Sequence, residues 1–156
     1  MVNYWAIAIS LIFSALFSGM EIAFVSSNKL RFEIDKKSNS LTSKIIDFFY
    51  HHSEQYISTM LVGNNIALVV YSIQMANLLT SIIQQYITAS DFIIMIIQTI
   101  IATIIVLFTG EFIPKIIFKS NPNVWLNIFS PFIYIIYILL YPITIFTTFL
   151  SKNILR

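Results

Sequence analysis

Four long apolar stretches dominate the chain and are separated by shorter polar segments. They cover about residues 4–27, 57–83, 92–113 and 124–150. A hydrocarbon core about 30 Å thick needs about 20 apolar residues per helix, so each stretch is long enough to cross a membrane. The pattern predicts an all-α membrane protein that forms a single transmembrane domain over residues 1–156.

The longest polar segment lies between the first two stretches, at residues 28–56. It contains five basic side chains, which are Lys29, Arg31, Lys36, Lys37 and Lys44. Basic residues collect in cytoplasmic loops, so we expect this loop in the cytoplasm and the N-terminus outside. Its apolar residues predict one or two short amphipathic helices, broken near residues 38–40. His51 and His52 are adjacent and face apart on a helix, which favours polar surface residues over a metal-binding pair.

The fourth stretch has basic residues at both of its ends. Lys115 and Lys119 precede it, and Lys152 and Arg156 follow it. The positive-inside rule places both ends, including the C-terminus, in the cytoplasm. A juxtamembrane belt helix kinked by Pro131 and Pro142 satisfies that rule. The three earlier stretches are then transmembrane helices. A short fourth span is the alternative, because length and hydropathy alone would suffice.

Composition narrows the class of protein further. Hydrophobic residues make up 58% of the chain and charged residues 10%, whereas soluble domains carry roughly 25% charged residues. The absence of cysteine excludes disulfides and thiolate metal sites. With two histidines, both in the polar segment, acid–base chemistry has few candidates. We therefore predict no enzyme and no nucleic-acid partner. The frequent Ile, Asn and Lys are typical of an AT-rich bacterial genome, which indicates a bacterial inner membrane.

A carboxylate stands where the third apolar stretch ends. Residues 92–108 hold no charged side chain, and the sequence GEFIPK follows at residues 110–115. An ionised carboxylate at membrane depth costs a few kcal/mol and normally faces a bundle interior or a water-filled path. Pro114 cannot donate to the Gly110 carbonyl four residues earlier, so we expect a helix break. The freed carbonyl and the Glu111 carboxylate are oxygen donors suited to a hard cation.

Polar residues of the first stretch share one helix face. Ser14, Ser18 and Glu21 are spaced by four and then three residues. For Ser14, the favoured interpretation is a hydroxyl that bonds its own helix backbone. Ser18 together with Glu21 indicates function, because a second intramembrane carboxylate needs a partner.

In the second stretch, Asn64 is either a neutral oxygen ligand or a polar contact between helices. For Gln74 and Asn77 the interhelical contact is favoured. By depth, Asn64 shares a level with Ser18 and with Glu111, toward the cytoplasmic half of the membrane. This convergence indicates a cation site more strongly than any one of the residues.

Three motifs carry a resemblance to a known family. They are FSGMEIA at residues 17–23, LVGNN at residues 61–65 and GEFIPK at residues 110–115. In this order and spacing they resemble the transmembrane domain of the CorC/CNNM (cyclin M) magnesium transporters. The resemblance implies a homodimer in membrane lipid, with three membrane helices and a belt helix per subunit. It also implies a dehydrated Mg²⁺ in each subunit, exported in exchange for Na⁺, and C-terminal cytosolic CBS domains that this chain lacks.

The resemblance also implies a set of ligands. They fall on Ser18, Asn64, the Gly110 backbone and Glu111. Glu21 and Asn65 are additional candidates, Glu21 for shaping the site or binding a coupling Na⁺. Many members carry a further asparagine one turn after Asn64, where this chain has Leu68. Because Mg²⁺ demands near-octahedral geometry, the missing oxygen is significant.

The sequence therefore predicts transport of Mg²⁺ across the plasma membrane, by efflux coupled to Na⁺ entry. Glu111 would supply the charge of the site. The alternative is a cation-binding membrane sensor or scaffold without transport activity, which Leu68 favours.

Overall fold

The computed structural model describes residues 3–28, 40–86 and 90–154, and within these ranges the chain is helical apart from short connections. The elements are α1 (Tyr4–Ser26), α2 (Leu41–His51), α3 (Ser53–Tyr86), α4 (Asp91–Val106), a π-helical turn (Leu107–Phe112), α5 (Ile113–Ser120) and α6 (Pro122–Ile154). Four helical stretches are long and apolar enough to cross a membrane. The predicted all-helical membrane architecture is confirmed at this level.

Helix α1 is the central element, because it contacts α3, the π turn, α5 and α6. Its inner face buries large apolar side chains such as Phe17, Met20 and Phe24. At its start, the Asn3 side chain accepts a hydrogen bond from the Ala6 N–H, and the Asn3 N–H donates to Gln74 Oε1 over 3.2 Å. Gln74 therefore joins α3 to α1, as its predicted interhelical role requires.

An aromatic cluster attaches α2 to the membrane helices. The Tyr56 ring of α3 lies 4.3 Å from Phe24 and 4.7 Å from Phe49, measured between ring centroids. The Tyr56 hydroxyl donates to the Met20 carbonyl over 3.2 Å, so this buried phenol is satisfied. The predicted loop helix is thus present at Leu41–His51, and the part of that prediction at residues 29–39 lies outside the described residues.

Tyr50 of α2 anchors the end of α1. Its hydroxyl and that of Ser27 are 2.6 Å apart. Burial raises the pKa of the Tyr50 phenol above its ordinary value, and the hydrogen bond with Ser27 partly opposes this. The phenol therefore stays neutral at physiological pH and continues to hold the chain where it leaves α1.

Helix α6 contacts the bundle near both of its ends. At its start, the Trp125 ring stacks on Phe118 of α5 with centroids 4.7 Å apart. Near its end, Gln55 Nε2 in the first turn of α3 donates to Thr144 Oγ1 over 2.5 Å. The Thr148 hydroxyl donates to Gln55 Oε1 over 3.1 Å. Helix α6 therefore joins the end of the third apolar stretch to the beginning of the second.

Two prolines lie inside α6 without ending it. Pro131 and Pro142 remove the α-helical donors for the carbonyls of Asn127 and Ile138. The helix nevertheless continues from Pro122 to Ile154, because its contacts with α1, α2 and α3 hold it in place.

The close approach of α1 and α5 predicts the outcome of one substitution, Gly19→Ala. In an exposed helix this change would stabilise by up to about 1 kcal/mol. Here an added Cβ would lie 2.6 Å from the Phe118 ring, and overpacking typically costs about 1–3 kcal/mol. We therefore expect a lower melting temperature for the purified protein in lipid nanodiscs. Combining Gly19→Ala with Phe118→Leu should recover part of the loss, whereas strictly additive losses would contradict this contact.

Candidate functional site

Three polar groups from three different helical segments meet at the middle of α1. The Ser14 hydroxyl donates a hydrogen bond to Asn64 Oδ1 on α3 over 2.7 Å. A Cβ added to Gly110 would lie 3.0 Å from the same hydroxyl oxygen. Ser14 is fully buried, so this junction of α1, α3 and the π turn is sheltered from the surroundings.

Ser14 corrects one interpretation made from the sequence. Its hydroxyl was expected to bond its own helix backbone, but it reaches across to Asn64 instead. A polar residue in the interior of a membrane bundle forms interhelical contacts when a partner lies opposite. The glycine at position 110 allows the π turn to approach closely enough to complete the contact.

Ser18, the serine implied as a ligand, is also buried but is not hydrogen-bonded. Only 1% of the residue is exposed, and its Oγ atom has no hydrogen-bond partner among the described residues. A buried hydroxyl without a partner costs about 1–3 kcal/mol. Such an orphaned oxygen is what a cation ligand would leave behind, so Ser18 fits the role that the resemblance gave it.

The packing of Phe17 against Gly63 sets the approach of α1 to α3 beside these serines. A Cβ at Gly63 would lie 2.7 Å from the Phe17 ring. Phe17 directly precedes Ser18, and Gly63 directly precedes Asn64. The ring and the bare backbone therefore allow α1 and α3 to approach closely beside Ser18 and Asn64.

Glu111 lies in the π-helical turn and is partly buried. Within the part of the chain that the structure describes, its carboxylate makes no hydrogen bond and no ion pair. A carboxylate in a membrane segment without a protein partner is unstable unless water or a cation neutralises it. Glu111, which directly follows Gly110 in the chain, is therefore a candidate ligand for a cation.

The predicted helix break at Pro114 is wrong, because the backbone stays helical from Asp91 to Ser120. A π turn replaces the break. The Ile113 N–H donates to the Phe108 carbonyl five residues earlier. Pro114 follows in the first turn of α5 and leaves the Gly110 carbonyl without its α-helical donor. π turns occur frequently at functional sites, and this one contains both Gly110 and Glu111.

The residues at this junction and next to it in the chain offer oxygen donors. The Ser14 hydroxyl and the Asn64 amide oxygen meet there, with Gly110 against Ser14. Ser18 follows Ser14 by one helical turn, and Glu111 directly follows Gly110. Hard cations such as Mg²⁺ are bound by carboxylates, carbonyls and water, and Mg²⁺ usually needs few carboxylates. The chemistry of this set therefore suits one divalent hard cation.

The remaining candidate residues lie around this junction. Asn65 is exposed on α3, next to Asn64. Glu21 is partly buried, two turns beyond Ser14, and lies close enough to the Tyr56 phenol to interact with it electrostatically. Leu68 is partly buried one turn after Asn64 and provides no side-chain oxygen.

The two histidines take the surface role expected of them. His51 Nδ1 lies 2.8 Å from the Asp47 carbonyl, and His52 Nδ1 lies 3.0 Å from the Phe48 carbonyl. Across residues 3–28, 40–86 and 90–154, no three His, Cys, Asp or Glu side chains gather into a metal-binding group. Within these ranges, a cation site would therefore have to draw mainly on neutral oxygens.

The amino-acid sequence of the chain is similar to those of known proteins. The family described as "Cyclin M transmembrane N-terminal domain" matches residues 5–156 of the chain. The UPF0053 protein MG146 of Mycoplasma genitalium is 25% identical over 144 residues, which make up 90% of this chain and 33% of that protein. The chain thus spans about a third of the length of this curated relative.

Proposed function

The chain belongs to the cyclin M transmembrane-domain family, and from that membership we propose that it transports a divalent cation, Mg²⁺, across the plasma membrane. The direction we propose is efflux coupled to Na⁺ entry. The observation that carries the proposal is the meeting of Ser14, Asn64 and Gly110, with Glu111 as the next residue of the π turn. This is a transport site and not an enzyme site, because its groups bind a hard cation but offer no nucleophile–base pair.

Each residue has a distinct role in this proposal. Glu111 supplies the negative charge, and Ser18, Asn64 and the Gly110 carbonyl supply neutral oxygens. In the structure, Asn64 Oδ1 accepts a hydrogen bond from the Ser14 hydroxyl. When Mg²⁺ enters, the Ser14 O–H rotates away, so that the amide oxygen and the hydroxyl oxygen both turn to the ion. Glu21 shapes the site or binds the coupling Na⁺. Water replaces the oxygen that Leu68 lacks, because Asn65 is exposed and faces a different direction from Asn64.

The proposed assembly is a homodimer in a bacterial inner membrane. The N-terminus is outside, and the loop that contains α2 is in the cytoplasm. Helix α6 would serve as the belt, since its contacts near both ends involve the cytoplasmic ends of other helices, at Phe118 and at Gln55. The chain corresponds to 33% of its Mycoplasma relative, so we propose that the whole protein continues into C-terminal cytosolic CBS domains.

The substitution Ser14→Ala tests the site. We expect it to weaken Mg²⁺ binding about tenfold, because one oxygen contact to a charged group is worth roughly 1.5 kcal/mol or more. Binding is measured by titration calorimetry, and transport by a Mg²⁺-sensitive dye in proteoliposomes with an opposing Na⁺ gradient. Ser10→Ala is the matched control, since that hydroxyl on the same helix bonds the Ile7 carbonyl over 2.9 Å. Unchanged binding in Ser14→Ala would remove Ser14 from the site.

A sensor or scaffold without transport is the second candidate, because Leu68 leaves the shell one side-chain oxygen short. The same two measurements distinguish the candidates. Saturable Mg²⁺ binding without any flux, with or without a Na⁺ gradient, would favour the sensor and reject transport.

A further inference from the structure

We propose that an apolar cleft between α1, α3 and α6 binds one acyl chain of a membrane phospholipid. The cleft has a volume of about 430 Å³, which falls within the range of about 300–1,000 Å³ typical of ligand pockets. It lies beside the cation site and is distinct from it. Its outer rim includes Ile9, Ile66 and Leu139, which are 50%, 47% and 74% exposed.

The wall of the cleft offers nothing to a polar ligand. Its lining consists of aliphatic and phenylalanine side chains, with Ser10 and Gly63 as exceptions. The Ser10 hydroxyl already donates to the Ile7 carbonyl over 2.9 Å. Gly63 lies under the Phe17 ring. A charged or hydrogen-bonding occupant would therefore be left unsatisfied.

The same wall argues against a peptide or a second copy of the chain as occupant. An extended segment carries backbone N–H and C=O groups that must find partners, and the cleft provides none. A helix satisfies its own backbone but is about 10–12 Å across with its side chains, so a neighbouring helix would cover the opening and leave much of the 430 Å³ unfilled. A bare hydrocarbon chain has no polar groups to satisfy, and it is narrow enough to fill the cleft. All three helices that form the cleft are long and apolar enough to lie in lipid, so acyl chains surround its opening.

The floor of the cleft connects it to the cation site. Phe17 and Gly63 line its inner end, and each directly precedes a polar residue of the site, Ser18 or Asn64. An acyl chain in the cleft would fill the space beside the Phe17 ring. It would thereby hold α1 against α3 beside the hydrogen bond between Ser14 and Asn64.

Photocrosslinking in vesicles tests this inference without measuring transport. The protein is reconstituted in phosphatidylethanolamine and phosphatidylglycerol, with a trace of phosphatidylglycerol that carries a diazirine on one acyl chain. We expect saturable labelling at Ile9, Ile66 and Leu139, competed by unlabelled phosphatidylglycerol. Ile9→Trp fills the cleft from its exposed rim and should lower this labelling about tenfold. Ile66→Trp, on α3, provides a second and independent blocking variant.

The chain offers a matched control for each variant. Ile12→Trp on α1 and Ile73→Trp on α3 change residues that are 66% and 57% exposed and lie outside the cleft, and both should leave the labelling unchanged. Labelling that does not saturate, or that is equally strong at Ile104 of α4, would show ordinary lipid contact and overturn the inference. It would also be overturned if a free fatty acid probe labels these positions and the phosphatidylglycerol probe does not. Disulfide formation between two copies of the Leu139→Cys variant would show that a second chain covers the cleft, and would overturn it as well.

Discussion

Replacing Glu111 with glutamine is expected to abolish Mg²⁺ transport while leaving the domain folded. Glutamine keeps the shape of the side chain and removes its charge. Two unit charges 4 Å apart interact by about 4 kcal/mol at an effective dielectric constant of about 20, and a divalent ion doubles that energy. A loss of even half of this interaction energy weakens Mg²⁺ binding by roughly a thousandfold. No neutral oxygen of the site can replace the lost charge.

The measurement for Glu111→Gln combines binding and flux. Titration calorimetry should show no saturable Mg²⁺ binding, and dye-loaded proteoliposomes should show no flux above that of empty vesicles. Glu54→Gln, in the first turn of α3, removes a carboxylate outside the site and should retain both activities. Melting temperature and elution volume report on folding. Normal flux in folded Glu111→Gln would reject the proposed site altogether.

Leu68→Asn is expected to strengthen Mg²⁺ binding by about tenfold. Position 68 lies one helical turn after Asn64, on the same face of α3. An asparagine there adds a neutral oxygen to a shell that has one carboxylate and few side-chain ligands. A contact of this kind with a charged group contributes roughly 1.5–3 kcal/mol, part of which is lost in desolvating the amide.

Two variants control for the change at position 68. Leu68→Met keeps the residue apolar and of similar volume, and it should leave affinity unchanged. Val69→Asn places the same amide one position further along, on a side chain that is 59% exposed. It should not affect binding, because adjacent residues face different directions on a helix. Equal affinity in Leu68→Asn and the parent would mean that residue 68 does not face the ion.

Much of the helical architecture follows from the apolar pattern. Length and hydropathy identify all four long segments, because membrane helices must satisfy their own backbone and therefore follow composition closely. The ends of the helices are predicted less accurately from the sequence. Helix α3, which contains the second apolar stretch, runs from Ser53 to Tyr86 and so extends beyond the predicted residues 57–83. Polar residues in its first and last turns continue the helix without adding to the apolar signal.

The candidate site shows what periodicity can and cannot determine. Ser14 and Ser18 lie one turn apart on the same face of α1, so the pattern places both toward the bundle. Which of them lies opposite Asn64 depends on the depth at which α1 and α3 cross. That depth is set by the contact of Phe17 with Gly63, a relation between two distant parts of the chain. Spacing within one helix does not contain it.

The π turn was missed for a related reason. Pro114 signals an interruption of α-helical hydrogen bonding, and the sequence alone does not say whether the chain bends, stops or widens there. The widened form is held by its surroundings, since Gly110 lies against Ser14 and Phe118 lies against Gly19. These neighbours belong to α1, so the choice is made by tertiary packing.

The π turn also has a consequence for changes in chain length. Its additional residue rotates everything that follows by about 100° relative to α4. Most residues of α4 are exposed, whereas α5, on the same continuous rod, turns Phe118 toward Gly19. A one-residue deletion between Leu107 and Thr109 would cancel this offset and swing Phe118 out of register. Residues 107–109 should therefore tolerate replacements of their exposed side chains but no insertion or deletion.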